Sequence, residues 1–379
     1  MKKYIIILFL FFIVAKSQSQ NIKIRVFSEN NINKITLASS FGNYFIDADN
    51  LKGINIKRQD KINLEKQDNK IVLSINDSIY GKVDTIHFYS NDLKCFFQIT
   101  PTNPSLKSRR YDDNLLIYLD SKDKGLKIIN EVKEDNYLAG VVQSEVGGVC
   151  DNVEFFKVQA ICCRNYLRRN INKHIKDGYN LCDGVNCQAY KSRANKKEVI
   201  DGANKSQGEV IVDSNNNIIE TLFHSNSGGQ TVNASDVWEN DISFLQSKID
   251  SFSINQPNYR WEKRIREKDW LKYFKDKGID VKDYNNKTEI LNFSQEEGRK
   301  TKLLNVPLTQ IRKDFNLKST FFTVQPFGSD VKLNGKGYGH GVGMSQEGAA
   351  KMCQEGYEYW QVIEFYYTGV KIIKIEENK

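Results

Sequence analysis

Four stretches of this sequence carry residue types able to do chemistry. In VVQSEVGG, Glu145 stands at the end of an apolar helical pattern beside Gly147 and Gly148. A carboxyl there opposes the negative end of the helix dipole and loses water, so it holds its proton more tightly than a free side chain. That suits a general acid. In ETLFHSNSGGQTVNASDVW, an apolar strand runs into His224, Ser225, Asn226, Ser227, Gly228 and Gly229. Small hydroxyl and amide side chains beside paired glycines expose backbone N–H groups that bind hydroxylated or anionic ligands. The Gly-x-Ser-x-Gly elbow is missing and no acid can be assigned to His224, which argues against a serine hydrolase. Trp238 can stack on a sugar face or fill the core. The third stretch, GYGHGVGMSQEGAA from Gly337 to Ala350, holds five glycines around His340. Glycine at that density permits unusual dihedrals or close approach to a ligand, and Ser345 can cap the helix that comes next. The fourth is His174, Cys182 and Cys187, three zinc-type ligands at loose spacing, with the poor ligand Asn186 where a fourth is convenient.

The elements that position these residues begin with an address. Lys2 and Lys3 precede an apolar run from Tyr4 to Ala15 and then small polar residues. This is the pattern of a secretory signal peptide over residues 1–19, too short for a comfortable membrane span. Export to the periplasm or cell-wall space is expected. In that compartment a Cys182–Cys187 disulfide is the preferred reading of the pair, with zinc as the alternative, and the odd total of seven cysteines leaves at least one unpaired. Cys162 and Cys163 read as small buried residues of a helix. The net charge of +8 is spread through Lys-rich loops without an Arg-rich aromatic motif. No nucleic-acid role is expected, and an anionic cell-wall partner fits better.

Alternating apolar runs make residues 20–104 a β-rich N-terminal region. Pro101 to Tyr111 reads as a linker. Residues 111–375 come after it as a core of mixed helix and strand, with a more variable segment about 254–330. There LLIYLD and LKIINEV pair as strands, Asp135 caps a short helix, and Asn152 caps a longer one to about Ile175. Val153, Phe156, Ala160, Leu167, Ile171 and Ile175 form that helix's apolar stripe. The class is α+β.

In order, NYLAGVVQSEV with EFFKVQAICCRNY, then FHSNSGGQT…VW, then GYGHGVGMSQEGA resemble the motif blocks of the stage II sporulation protein D (SpoIID) family, to which the amidase enhancers also belong. The resemblance implies an exported lytic transglycosylase of peptidoglycan. Such an enzyme cleaves the β-1,4 bond after N-acetylmuramic acid and leaves a 1,6-anhydro sugar. Glu145 falls on the family's catalytic glutamate, and no cofactor is required. A saccharide-binding groove is implied between the glycine-rich run and the SNSGG loop. Lys157, Arg164, His224, Ser225, Ser227, Gly228, Gly229, Tyr338, His340, Ser345 and Gln346 are its substrate-binding candidates. The family's zinc pattern survives as His174, Cys182 and Cys187 but has Asn186 at its second histidine, which turns the reading from structural zinc toward a disulfide. The implied partners are glycan strands, intact or stripped of stem peptides, and an amidase. The alternative is a non-catalytic peptidoglycan binder that activates an amidase. Retention of Glu145 favours the enzyme, and the resemblance assigns no sporulation role.

Overall fold

The computed structural model describes residues 21–119, 125–184, 186–238 and 241–375. The expected signal peptide lies outside them. Among the described residues no helix is long and apolar enough to cross a membrane.

Period-two patterning drives the first half of the chain into strands. These are β1 (Ile22–Arg25), β2 (Lys34–Phe41), β3 (Tyr44–Ala48), β4 (Leu51–Ile56), β5 (Ile62–Gln67), β6 (Lys70–Ile75), β7 (Ser78–Val83), β8 (Thr85–Tyr89) and β9 (Phe96–Asn103). After them come β10 (Arg109–Asp112), β11 (Asn114–Leu119) and β12 (Leu126–Val132). In β2, Ile35 and Leu37 are buried while Thr36 and Ala38 are only partly covered, the alternation a one-sided sheet requires. The strands form two sheets. One runs β10-β9-β2-β5-β6-β7, and the other runs β13-β1-β12-β11-β8-β3-β4, where β13 is Leu181–Cys182. Tyr44 and Phe88 of the second sheet meet Phe97 of the first at ring separations of 5.8 and 5.6 Å, so the sheets share one core.

The linker expected over Pro101 to Tyr111 is not formed. β9 continues to Asn103, and β10 turns back to pair with it through Tyr111 opposite Phe97. Tyr111 is fully buried, and covering that ring holds the segment in the sheet. β1, β11 and β12 also belong to one sheet with β13, so the β-rich region is continuous with the helix-bearing core.

The helices come next: α1 (Glu134–Val146), α2 (Val153–Asn170) and α3 (Lys197–Lys205). Asp135 does not cap α1. Lys133 holds the cap position, and the carboxylate of Asp113, between β10 and β11, accepts from the Lys133 N–H at 2.9 Å and from Asn136 at 2.8 Å. Asn152 does cap α2, accepting from the Phe155 N–H at 3.2 Å. The helix stops at Asn170, and a separate short turn covers Ile175–Asp177.

The remaining elements are β14 (Glu209–Val212), β15 (Phe223–His224), β16 (Arg260–Arg266), α4 (Glu267–Asp276), α5 (Tyr284–Leu291), β17 (Lys302–Leu303), β18 (Val306–Pro307), α6 (Leu308–Asp314), β19 (Phe322–Phe327) and β20 (Asp330–Lys336). The chain ends with β21 (Met344–Ser345), α7 (Gln346–Gln354), α8 (Tyr359–Tyr366) and β22 (Lys371–Lys374). β14 pairs with β22, and β15 lies parallel to β21. Between β16 and β20 the chain builds a second core from Trp261, Trp270, Phe274, Phe322 and Leu333. Sheets and helices together make the protein α+β.

Candidate functional site

Glu145 is the penultimate residue of α1, and the last turn of that helix carries no basic residue. Burial raises its pKa above the ordinary carboxyl value, while the Ala189 N–H at 3.1 Å and the charge of Lys191 pull the other way. Those influences include no second carboxylate. Its two helical predecessors also grip the strand of chain opposite. Ser144 Oγ accepts from the Lys191 N–H at 3.1 Å, and Gln143 Oε1 accepts from the N–H groups of Asn195 and Lys196 at 2.8 and 2.9 Å. Three consecutive side chains therefore fix residues 189–196 against the end of α1. A partly desolvated carboxyl held by one amide keeps its proton to higher pH than a free one, which suits it to give and then take a proton. Sequence patterning does not reveal the Ala189 contact, because a backbone donor leaves no side-chain signature.

The glycine-rich run is a seam between two backbones. Gly337, Gly339, Gly341 and Gly343 all have positive φ, between +68° and +121°. A Cβ at Gly339 would come 2.6 Å from His224 Cβ, and one at Gly343 would come 2.2 Å from the Leu222 carbonyl oxygen. Only glycine permits both the dihedrals and the approach. The histidines lock the same seam. His224 donates through Nδ1 to the Val342 carbonyl at 3.0 Å, which leaves Nε2 buried and unpartnered among the described residues. His340 donates through Nε2 to the Phe223 carbonyl at 3.0 Å and accepts at Nδ1 from the Val342 N–H at 3.1 Å. Burial pushes the His340 pKa down to about 4 and that of His224 well below its usual value.

The SNSGG loop does not expose its amides as expected. The Ser227 N–H reaches Ser345 Oγ at 3.3 Å, Gly228 N–H reaches Asn226 Oδ1 at 2.7 Å, and Gly229 N–H reaches Ser253 Oγ at 2.9 Å. Ser227 itself donates to the buried Asp250 at 2.7 Å. Ser345 caps α7 by accepting from the Gly348 N–H at 3.3 Å and is wholly buried, with Gln346 beside it almost as covered. Ser225 is half-buried and accepts from Asn258 at 3.2 Å. What faces solvent here is aromatic. Tyr338 is 44% exposed, and Trp238 is 43% exposed with its ring 5.4 Å from that of His340.

Arg164 and Lys157 are structural ties, which corrects their expected place in a groove. Arg164 is completely buried and divides its donors among Glu134 at 2.8 Å, Asp135 at 3.2 Å and the Ser206 carbonyl at 2.6 Å. Lys157 pairs with Glu209 at 3.1 Å and lies 3.4 Å from the centre of the Tyr359 ring. Neither cation is open to a saccharide. α2, which carries both, packs against α1 and also against α7, and no described contact joins Glu145 directly to the glycine seam.

His174, Cys182 and Cys187 do come together. The two sulfurs stand 3.3 Å apart as free thiols, and His174 Nε2 is 3.6 Å from Cys187 Sγ. The expected disulfide is therefore not formed, since a bonded pair is about 2.05 Å apart. The three ligand atoms all lie within 4.8 Å of one another, a donor set that suits zinc. A closed structural site takes four donors, and no fourth His, Cys, Asp or Glu joins this group among the described residues.

Comparison with known proteins agrees with the motifs. Residues 122–216 match the family model SpoIID, described as stage II sporulation protein. Stage II sporulation protein D of Bacillus subtilis (strain 168) is 27% identical over 270 residues, covering 64% of this chain and 75% of that protein. An uncharacterized protein of Brachyspira hyodysenteriae is 24% identical over 370 residues, covering 92% of this chain and 95% of its own length. The amidase enhancer of Bacillus subtilis is 22% identical over 289 residues, covering 62% of this chain and 40% of the enhancer. The resemblance drawn from the motifs therefore holds, and the chain carries a SpoIID domain within a region similar to stage II sporulation protein D and the amidase enhancer.

Proposed function

We propose that this protein acts on peptidoglycan in the cell-wall space as a lytic transglycosylase, with Glu145 as general acid and then general base. The observation that supports this reading is Glu145 itself: a carboxyl with a pKa raised by burial, held by the Ala189 amide, with no second carboxylate influencing it. One carboxyl is enough for the reaction. As an acid it protonates the leaving glycosidic oxygen. As a carboxylate it then takes the proton from the muramyl C6 hydroxyl that attacks C1, closing the 1,6-anhydro ring. Hydrolysis by water ordinarily needs two carboxylates at a set separation. General acid-base assistance of this kind contributes about a hundred- to ten-thousandfold in rate.

The test is a digest of purified peptidoglycan, with and without prior amidase treatment, by the wild type and by Glu145→Gln. Anhydro-muramic ends are read by mass spectrometry. Ends from the wild type and at least about a hundredfold fewer from the variant are expected. Their absence with folded wild type on both substrates would favour the second reading, in which the chain binds peptidoglycan and enhances an amidase. Similarity to a protein named amidase enhancer is the observation behind that alternative.

A further inference from the structure

The sheet β16-β20-β19 turns one face to the second core and the other outward. On β16 the alternation buries Trp261 and Ile265 and leaves Arg260, Glu262, Arg264 and Arg266 exposed. The register sets Arg260 opposite Lys336 and Arg264 opposite Lys332 on β20. Residues so placed are about 5 Å apart at Cα, and like charges directly opposite one another destabilise a sheet. Threonine would serve an outer strand position without that cost.

The two opposed pairs differ in how their repulsion is relieved. Lys332 turns to Glu262 at 2.8 Å, and Arg264 lies 4.3 Å over the exposed ring of Phe327. At the end of the strand Arg266 pairs with Asp269 at 2.6 Å. Arg260 and Lys336 have aromatic neighbours only. The former lies 5.4 Å from the Tyr259 ring and the latter 5.3 Å from that of Phe321, and neither forms an ion pair among the described residues. Two residues after Lys336, Tyr338 presents an exposed ring with the Lys318 ammonium 5.6 Å from its centre, a third cation without an acid among the described residues.

We propose that this face binds an acidic polysaccharide, a glycan chain that carries carboxylates at wide intervals. The planar fork of Arg260 matches a carboxylate, and Lys336 and Lys318 bring further donors that have no acceptor of their own. The Tyr338 ring between them offers a flat apolar surface to a sugar. Spacing decides against a dense polyanion. Arg260 and Arg264 stand about 13 Å apart along β16, with the negative Glu262 midway, whereas a nucleic-acid strand places a charge about every 3.4 Å. An anionic membrane fits less well, because Phe327 of this face lies under Arg264 rather than free to enter lipid. The binding rests on these residues alone and requires no cleavage at Glu145.

The experiment is calorimetric titration of the full chain with hyaluronate hexasaccharide, which has one carboxylate per disaccharide, and with the neutral chitin hexasaccharide. Hyaluronate should bind and weaken as salt is raised. Arg260→Gln combined with Lys336→Gln should weaken hyaluronate by at least about tenfold, the loss of two charge-assisted contacts, and leave any binding of the chitin hexasaccharide as it was. Lys318→Gln, outside the sheet, should weaken hyaluronate about threefold, whereas Arg266→Gln should not change it. The thermal midpoint of the double variant should be equal or higher, because two opposed cations are gone. A lower midpoint would show that the pair serves the sheet and would overturn the proposal. So would no binding at millimolar hyaluronate, indifference of that binding to the double variant, or tighter binding of inorganic polyphosphate or phosphatidylglycerol vesicles through the same residues. Glu145→Gln should bind hyaluronate as the wild type does, and its failure to do so would place the ligand at Glu145 instead.

Discussion

Ala189 donates its backbone N–H to Glu145 at 3.1 Å, two residues after Cys187 of the thiol and histidine cluster. The amide stabilises the charged carboxyl while burial favours the neutral one, and burial is the larger influence. With the folded pKa raised, the native state binds this proton more tightly than the unfolded chain. Its stabilising effect is then fullest below the unfolded value and declines as pH rises through the folded one. As the acid of a transglycosylase, Glu145 must be protonated. Rates of anhydro-end formation should fall about tenfold per pH unit above the folded pKa. Glu145→Gln should abolish that chemistry while leaving the thermal midpoint at neutral pH equal or higher, which pH-resolved digests and thermal melts would check.

Arg164 tests whether its type or its surroundings decide its role. Removing it by Arg164→Met leaves Glu134 and Asp135 without their buried guanidinium. Breaking a buried pair from one side costs about 3–5 kcal/mol. Urea unfolding should show a loss of that size. An unchanged midpoint with weaker glycan binding would return Arg164 to the substrate.

Gly343 and Gly369 share a φ of +68°, yet their surroundings differ. A Cβ at Gly369 meets nothing within 4 Å, and one at Gly343 meets the Leu222 carbonyl oxygen at 2.2 Å. Gly369→Ala should cost about 1 kcal/mol from the left-handed backbone alone. Gly343→Ala should cost about 3 kcal/mol or more, because the seam must also open. Denaturation midpoints of the two variants would measure the difference.

His224 and His340 should stay neutral through physiological pH, the latter with a pKa of about 4. Because their folded pKa values are depressed, the unfolded chain takes up protons first as pH falls. Their contribution is complete above about 6.5 and is lost progressively toward pH 4. Imidazole NMR resonances should show no titration between about pH 5 and 8. A midpoint near 6.5 for His340 would mean that its bonds to Phe223 and Val342 are not kept in solution.

Local signals were the legible ones. Asn152 and Ser345 read as caps because a cap needs only its own next three residues, and both make the expected bond. Glu145 could be singled out because helix end and apolar context lie within one short stretch. The glycine run could not be interpreted alone, since its partner, His224 with its neighbours, is more than a hundred positions earlier. Read without that partner, its glycines fit a tight turn as well as a ligand surface. Arg164 and Lys157 misled for a related reason: a cation on a helix looks available until the acids opposite it are known. The linker expected over Pro101 to Tyr111 does not form because its prolines are a local signal, whereas the burial of Tyr111 opposite Phe97 depends on a partner strand that the segment itself does not announce.

The pairing of Arg260 with Lys336 across β16 and β20 brings the entrance and exit of the second core side by side. The unit between them, including Trp270 and its neighbours, joins the glycine seam at those two adjacent strand ends and again through Arg299, which donates to the Ser227 and Gln230 carbonyls, and through the Lys318 carbonyl, which accepts from the Gly339 N–H. Such a unit is a cassette with a fixed inner face: its far side, around α4 and α5, can be lengthened or shortened, while Arg299, Lys318 and the two strand ends keep the seam in register.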